Sequence, residues 1–325
     1  MKTVDEILAH ALSDSVPFVN EVSQYAFRLG GKRLRPAVAL VSYKAACRPG
    51  DEANLPHKLK LVAAAVEMIH TASLIHDDIL DGALVRRHLP TMHTCWNAGI
   101  SVMAGDTVFT KALDLVTQLD ELEPYKVLAN ACHKTCYGEL RQMGTKNHFD
   151  LSVEEYIEIV TAKTAALIEC GSQMGAYYAG ADPEVVEQFR LFGREIGIAF
   201  QIVDDVLDLI GDENNMGKTL GTDILQQKPT LPVLLYFESL QESERAAVID
   251  QCTELSTDET FVQTMVSRVQ ATGAIDATLT YADKLADTAI ERVRNFAATH
   301  PRSTESQQAI DAMCEIAAFV VKREK

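Results

Sequence analysis

Glycine and proline are scarce, 17 and 10 residues in a chain of 325. With so few helix breakers, and with Ala, Leu, Glu and Gln recurring throughout, the expected local structure is mostly helix. Cations are short as well: 30 Lys and Arg stand against 46 Asp and Glu, a formal charge of −16. That balance argues against a nucleic-acid or anionic-membrane surface, and any bound phosphate must be met by a local basic cluster. The seven cysteines include no Cys-x-x-Cys pair, which fits reduced thiols in a cytoplasm. Cys132 and Cys136, with His133 nearby, lack the further ligands that zinc needs and are read as core residues. No run of eighteen uncharged apolar residues occurs, so no integral membrane segment is expected, and the acidic start MKTVDEILAH does not read as a signal peptide.

Hydrophobic residues make up 47% of the chain, enough for a sizeable core. Without a repeat or a flexible linker, residues 1–325 are read as one domain. Helices are expected at about 3–29 with a break near Ser13–Pro17, then at about 36–47, 56–82, 99–119, 124–145, 152–180 and 183–210. Five more are expected at about 230–241, 243–252, 258–271, 275–299 and 303–323.

Two acidic clusters break the apolar pattern. Asp77, Asp78 and Asp81 lie among Leu74, Ile75, Ile79 and Leu80, and His70 shares a helix stripe with Asp77 and Asp81. Asp204, Asp205 and Asp208 repeat the i, i+1, i+4 spacing among Ile202, Val203, Val206 and Leu207. Buried carboxylates cost several kcal/mol or more each unless something cancels them, and no lysine lies within the first cluster. A divalent cation answers both clusters at once. Six carboxylates facing a cavity would hold several Mg2+ ions that also take oxygens from a diphosphate.

Basic residues are concentrated where such a substrate needs them. Gly30-Gly31-Lys32-Arg33-Leu34-Arg35-Pro36 sets three cations beside a flexible turn, and Arg86-Arg87 follow the first acidic cluster. Lys163-Thr164 interrupts a small-residue helix face. Gly217-Lys218-Thr219 is not the end of a P-loop, because position 212 is Asp and an acidic helix precedes it. A loop carrying Lys218, Asp223 and Lys228 to the acidic site fits better.

With these motifs in order, the chain resembles the trans-type polyprenyl diphosphate synthases, from the Gly30–Pro36 turn to Thr272–Ile275. The resemblance implies an all-α fold, a single large helical bundle around a deep central cavity, and a homodimer. It implies that Asp77, Asp78, Asp81, Asp204, Asp205 and Asp208 bind three Mg2+ ions and an allylic diphosphate. Lys32, Arg35, His70 and Arg87 match positions that hold isopentenyl diphosphate. Arg86, Lys163, Thr164, Gln201, Lys218 and Lys228 match positions around the allylic substrate, with Lys163 and Lys218 aiding its ionisation. Arg33 belongs to the same basic turn. Two departures from the family pattern bear on loop geometry: His88 and Gln227 stand where glycine is usual.

Product length is read from the helix before Asp77. Where short-chain members carry bulky aromatics four and five residues before the first aspartate, this chain has Ser73 and Ala72, and Ile69 and Met68 continue the wall. A medium- to long-chain product is therefore expected, octaprenyl in the first instance. The alternatives are a farnesyl- or geranylgeranyl-length product, a silent partner subunit, and a class I terpene cyclase. All six aspartates are retained, unlike the silent subunits, and a cyclase lacks the basic turn.

Overall fold

Side chains supply the missing backbone partners at the starts of three helices, through Asn97, Ser152 and Asp258. The structure, a computed structural model, describes residues 1–28, 31, 33–211, 220–255 and 258–323. Helices α1 (Lys2–Ala11), α2 (Pro17–Arg28), α3 (Leu34–Ala46) and α4 (His57–Leu80) lead into a hairpin of β1 (Val85–Arg86) and β2 (Leu89–Pro90). Then follow α5 (Met92–Cys95), α6 (Ala98–Thr117), α7 (Leu122–Gly144) and α8 (Val153–Val160), a π-helical turn at Thr161–Ala165, and α9 (Ala166–Tyr178) and α10 (Pro183–Ile210). The last elements are α11 (Thr222–Leu225), α12 (Leu231–Ser239), α13 (Glu242–Leu255), α14 (Glu259–Gln270), α15 (Ala274–Thr299) and α16 (Thr304–Val321). The class is all-α, as expected. At α8 a capping box joins Ser152 and Glu155, and at α6 the Asn97 side chain accepts from the Ile100 N–H.

Two compact units make up the chain. The first comprises Met1–Cys132, Leu167–Gly193 and Val293–Met313, and α4 is its central element, packed on α6, α3 and α1. Every side chain of α4 from Leu61 to Ile69 is buried. By length and composition α4 could cross a membrane, but 72% of its apolar window is buried inside the protein. The close approach of α9 to α3 needs Gly175, where a Cβ would lie 2.4 Å from the Ala39 carbonyl oxygen. The second unit comprises His133–Ala166, Arg194–Arg292 and Cys314–Lys325. Its core joins Phe149, Val206, Leu209, Phe237 and Met265, with a second cluster around Tyr156, Val160, Ile202 and Leu231.

Three expectations need correction. The helix expected over 152–180 runs on through residues 153–178 but widens to a π-turn at Thr161–Ala165. The hairpin and the short α5 and α11 were not foreseen. Cys132 is buried as expected of a core residue, but Cys136 is exposed.

Candidate active site

The first acidic cluster ends α4. Asp77 and Asp78 lie in its last turn, and Asp81 is the residue that closes it, with φ −89° and ψ −7°. Gly82 then takes a φ of 63°, and the Ala83 N–H reaches back 3.0 Å to the Asp78 carbonyl. This closure turns the chain sharply into the hairpin. The burial cost expected over the whole Asp77–Asp81 stripe falls on Asp78, which is 1% exposed, while Asp77 and Asp81 are half-buried. The compensating charge arrives from the hairpin: Arg86 Nε and Nη2 each lie 2.7 Å from Asp78 Oδ1. A charge-assisted pair of this kind offsets a cost that no residue within α4 could.

The hairpin pairs Val85 with Pro90 and Arg86 with Leu89, leaving Arg87 and His88 as its two turn residues, with φ of 51° and 64°. Both lie in the left-handed region that two-residue hairpin turns use. Tyr25 fixes the far end by donating to the Pro90 carbonyl at 2.6 Å. The Arg87 guanidinium rests on Gly31, where a Cβ would lie 2.5 Å from Nη2. Desolvation, then the charges of Arg35, Arg87, Arg86 and Arg33, push His70 well below its ordinary pKa, so the imidazole is neutral at pH 7. The first unit thus brings together Arg33, Arg35, His70, Arg86 and Arg87. Lys32, like Gly30, lies outside the described residues.

The second acidic cluster sits at the end of α10, in the second unit, and follows the same pattern. Its middle residue, Asp205, is 4% exposed. Tyr156 donates to Asp205 Oδ2 at 2.5 Å, and Gln201 donates to Oδ1 at 2.8 Å. Gln201 in turn accepts from the Thr164 hydroxyl at 2.8 Å. Arg323 pairs with Asp204 at 2.8 Å and stacks over Phe200. Asp208 accepts from the Asp223 N–H at 3.0 Å, and the Lys228 N–H donates to the Asp223 carbonyl. Before the buried Lys228, Gln227 has a φ of 61° and its carbonyl and side-chain oxygens both accept from Asn147. Lys218 lies outside the described residues.

The π-turn carries Lys163 and Thr164. A π-turn widens the helix, and it frequently marks a functional position. Lys163 Nζ lies 2.5 Å from Glu139 and 2.6 Å from Gln142, both on α7. Gly138 makes room for this turn, because a Cβ there would lie 2.4 Å from the Lys163 backbone nitrogen. Sequence reading missed Tyr156, Glu139, Gln142, Glu67 and Arg323. The spacing of Glu139 and Gln142 on one helix face and the lone acid Glu67 in the apolar run of α4 were the available signals, and nothing local links Tyr156 to Asp205.

Desolvation and the Asp223 and Asp204 charges push Asp205 well above the usual carboxylate range, against the pull of its two hydrogen bonds. Crowded aspartate oxygens of this kind are the donors that Mg2+ prefers. Among the described residues no three His, Cys, Asp or Glu side chains form a metal-holding group by themselves. Mg2+ is commonly held through one or two carboxylates together with substrate phosphates, so the donor set fits. An apolar groove of about 470 Å3, between α2 and α6, is lined by none of these residues.

Residues 16–269 match the family model described as polyprenyl synthetase. The chain is 36% identical to the short chain isoprenyl diphosphate synthase of Methanothermobacter thermautotrophicus, over 98% of this chain and 95% of that one. It is 32% identical to the octaprenyl diphosphate synthase of Escherichia coli, over 89% and 88%. A polyprenyl synthase from Caulobacter crescentus, solved with calcium and isoprenyl diphosphate, superposes with a TM-score of 0.88 at 31% identity, covering 100% of this chain and 95% of that one. With the two aspartate-rich helix ends and the arginine cluster described, these matches carry the conclusion that the chain belongs to the polyprenyl synthetase family of prenyltransferases.

Proposed function

We propose that this prenyltransferase extends an allylic diphosphate with isopentenyl diphosphate to a medium- or long-chain all-trans polyprenyl diphosphate, octaprenyl in the first instance. The observation that carries the reading is the direct join between an arginine cluster and an aspartate-rich helix end through Arg86 and Asp78. A diphosphate needs both kinds of group, cations for its oxygens and carboxylates for its counter-ions.

Arg35, His70, Arg87 and Lys32 hold isopentenyl diphosphate in this reading, with neutral His70 as a hydrogen-bonding group. Asp77, Asp78, Asp81, Asp204, Asp205 and Asp208 hold Mg2+, three ions per site by resemblance. Bound Mg2+ supplies charge neutralisation of the allylic diphosphate as it departs. Asp78 and Asp205, each locked by protein donors, orient their neighbours in sequence. Arg86, Lys163, Gln201, Lys218 and Lys228 surround the allylic substrate. The C–O bond breaks, the double bond of isopentenyl diphosphate attacks C1, and a proton leaves to the freed diphosphate. Thr164 and the carbonyls of the π-turn direct dipoles toward the allylic cation, and apolar walls keep water from it.

Ala72, 2% exposed, supports a long product because it offers no bulk beside the tail, with Ser73, Ile69 and Met68 completing the wall. Five residues along a helix span about 7.5 Å, the depth of one or two isoprene units. Ala72→Phe is expected to shorten the product while condensation continues, and chains of unchanged length would refute this placement of the tail. A short-chain product is the second reading, favoured by the methanogen relative named for that activity.

Residues 1–325 act as one catalytic domain in this proposal, as a cytoplasmic homodimer. Exposed Val102 and Met103 on α6, at 42% and 62%, support a covered surface. The test of the reaction class is pyrophosphate release. It should require Mg2+ and both substrates together; release from the allylic substrate alone would favour a cyclase, and no release at all a silent subunit.

A further inference from the structure

Glu67 precedes His70 by three residues on α4 and is 2% exposed. A carboxylate buried to that degree is destabilising unless it is paired. Its partner is Arg33, whose Nη1 donates to Glu67 Oε1 at 2.9 Å. Arg33 is itself held from two further sides. It takes a left-handed φ of 56° at the start of α3, lies 3.5 Å from Asp5 of α1, and stacks 4.6 Å over the Phe27 ring of α2. The fixed fork of a guanidinium can satisfy all of these at once.

The same anion acts on the hairpin. Desolvation and the charges of Arg86 and Arg33 lower the Arg87 pKa, and Glu67 pulls it back up. Arg87 also rests on Gly31, two residues before Arg33. The basic turn, α4 and the hairpin therefore meet around one buried carboxylate.

We propose that the Glu67–Arg33 ion pair positions the cations that bind isopentenyl diphosphate, with Arg33 a positioning residue and not a diphosphate ligand. This rests on the reading above that Arg35, His70 and Arg87 hold that substrate. Two physical accounts of Glu67 oppose each other in sign. If Glu67 only dilutes the positive potential, its removal strengthens binding of an anion. If it sets the geometry, its removal weakens binding although the cluster becomes more positive.

The test is Glu67→Gln in the 325-residue chain, with inorganic pyrophosphate titrated by calorimetry and with separate KM values for the two substrates. The expected result is pyrophosphate affinity lower by about tenfold, roughly 1.4 kcal/mol. The KM for isopentenyl diphosphate should rise by more than kcat falls and by more than the allylic KM rises. Unchanged or tighter pyrophosphate binding overturns the proposal. Arg33→Lys, which conserves charge, decides the matter should Glu67→Gln not fold. Coulomb attraction alone leaves its affinity at the wild-type value, whereas positioning lowers it by about threefold or more. A wild-type chain that binds pyrophosphate but condenses nothing would end the functional reading and leave the positioning role to be judged by the calorimetry.

Discussion

His70 is a neutral imidazole held so by its burial first and then by the charges of Arg35, Arg87, Arg86 and Arg33. Its folded pKa lies well below the unfolded value of about 6.5. As pH falls through 6.5 the unfolded chain takes up a proton that the folded chain refuses. The stabilisation is therefore fully present above that pH and is lost as the pH falls toward the folded pKa. The unfolding free energy from urea titration should drop between about pH 6.5 and 5, by up to about 1.4 kcal/mol per pH unit, with the midpoint falling in step, and His70→Asn should flatten that slope. A midpoint independent of pH over this window would mean that neither burial nor the arginine charges depress the His70 pKa. At this scale the sequence revealed the identities but not the pairings. Asp77, Asp78 and His70 could be singled out, because polar residues on an apolar helix stand out. That Asp78 would be met by Arg86, Asp205 by Tyr156 and Glu67 by Arg33 depends on the folding of separate segments against one another, which periodicity does not encode.

Helix limits were legible because the chain punctuates them: Pro183 and Ile210 bound α10 as expected, and the Ser13–Pro17 break separates α1 from α2. The hairpin was not, since two-residue strands are too short to alternate and its turn residues are Arg87 and His88 in place of a glycine-bearing pair. Both departures from the family pattern fall on positive φ, His88 at 64° and Gln227 at 61°. The loops thus keep a left-handed backbone without the residue that adopts it most readily, at the cost of local strain. Gln227 has a side-chain bond to Asn147 in return. Replacing His88 with Gly should therefore stabilise the fold by about 1 kcal/mol, the relieved left-handed strain of roughly 1–2 kcal/mol less the entropy that Gly adds to the unfolded chain, read as a higher urea midpoint at unchanged m-value. A lower midpoint would show that the His88 ring makes contacts worth more than the strain. The π-turn announced itself only as Lys163-Thr164 within a small-residue face, because an extra residue per turn leaves no compositional mark.

Over the whole molecule, a formal charge of −16 coexists with a cluster of arginines around His70. An acidic surface with a local basic site keeps polyanions such as nucleic acids away while a small diphosphate still finds its cations. Composition conveyed this much, and the motifs conveyed the family. Product length was not legible, since it turns on what lies beyond Ala72, and the relatives named for short-chain and for octaprenyl products share similar identity with the chain. The most direct measurement is incubation of the purified chain with Mg2+, farnesyl diphosphate and labelled isopentenyl diphosphate, followed by sizing of the dephosphorylated products. Linear all-trans prenols several units longer than the primer, lost on chelation and in Asp77→Ala and Asp204→Ala, are predicted. An unextended primer or a cyclic hydrocarbon would contradict it.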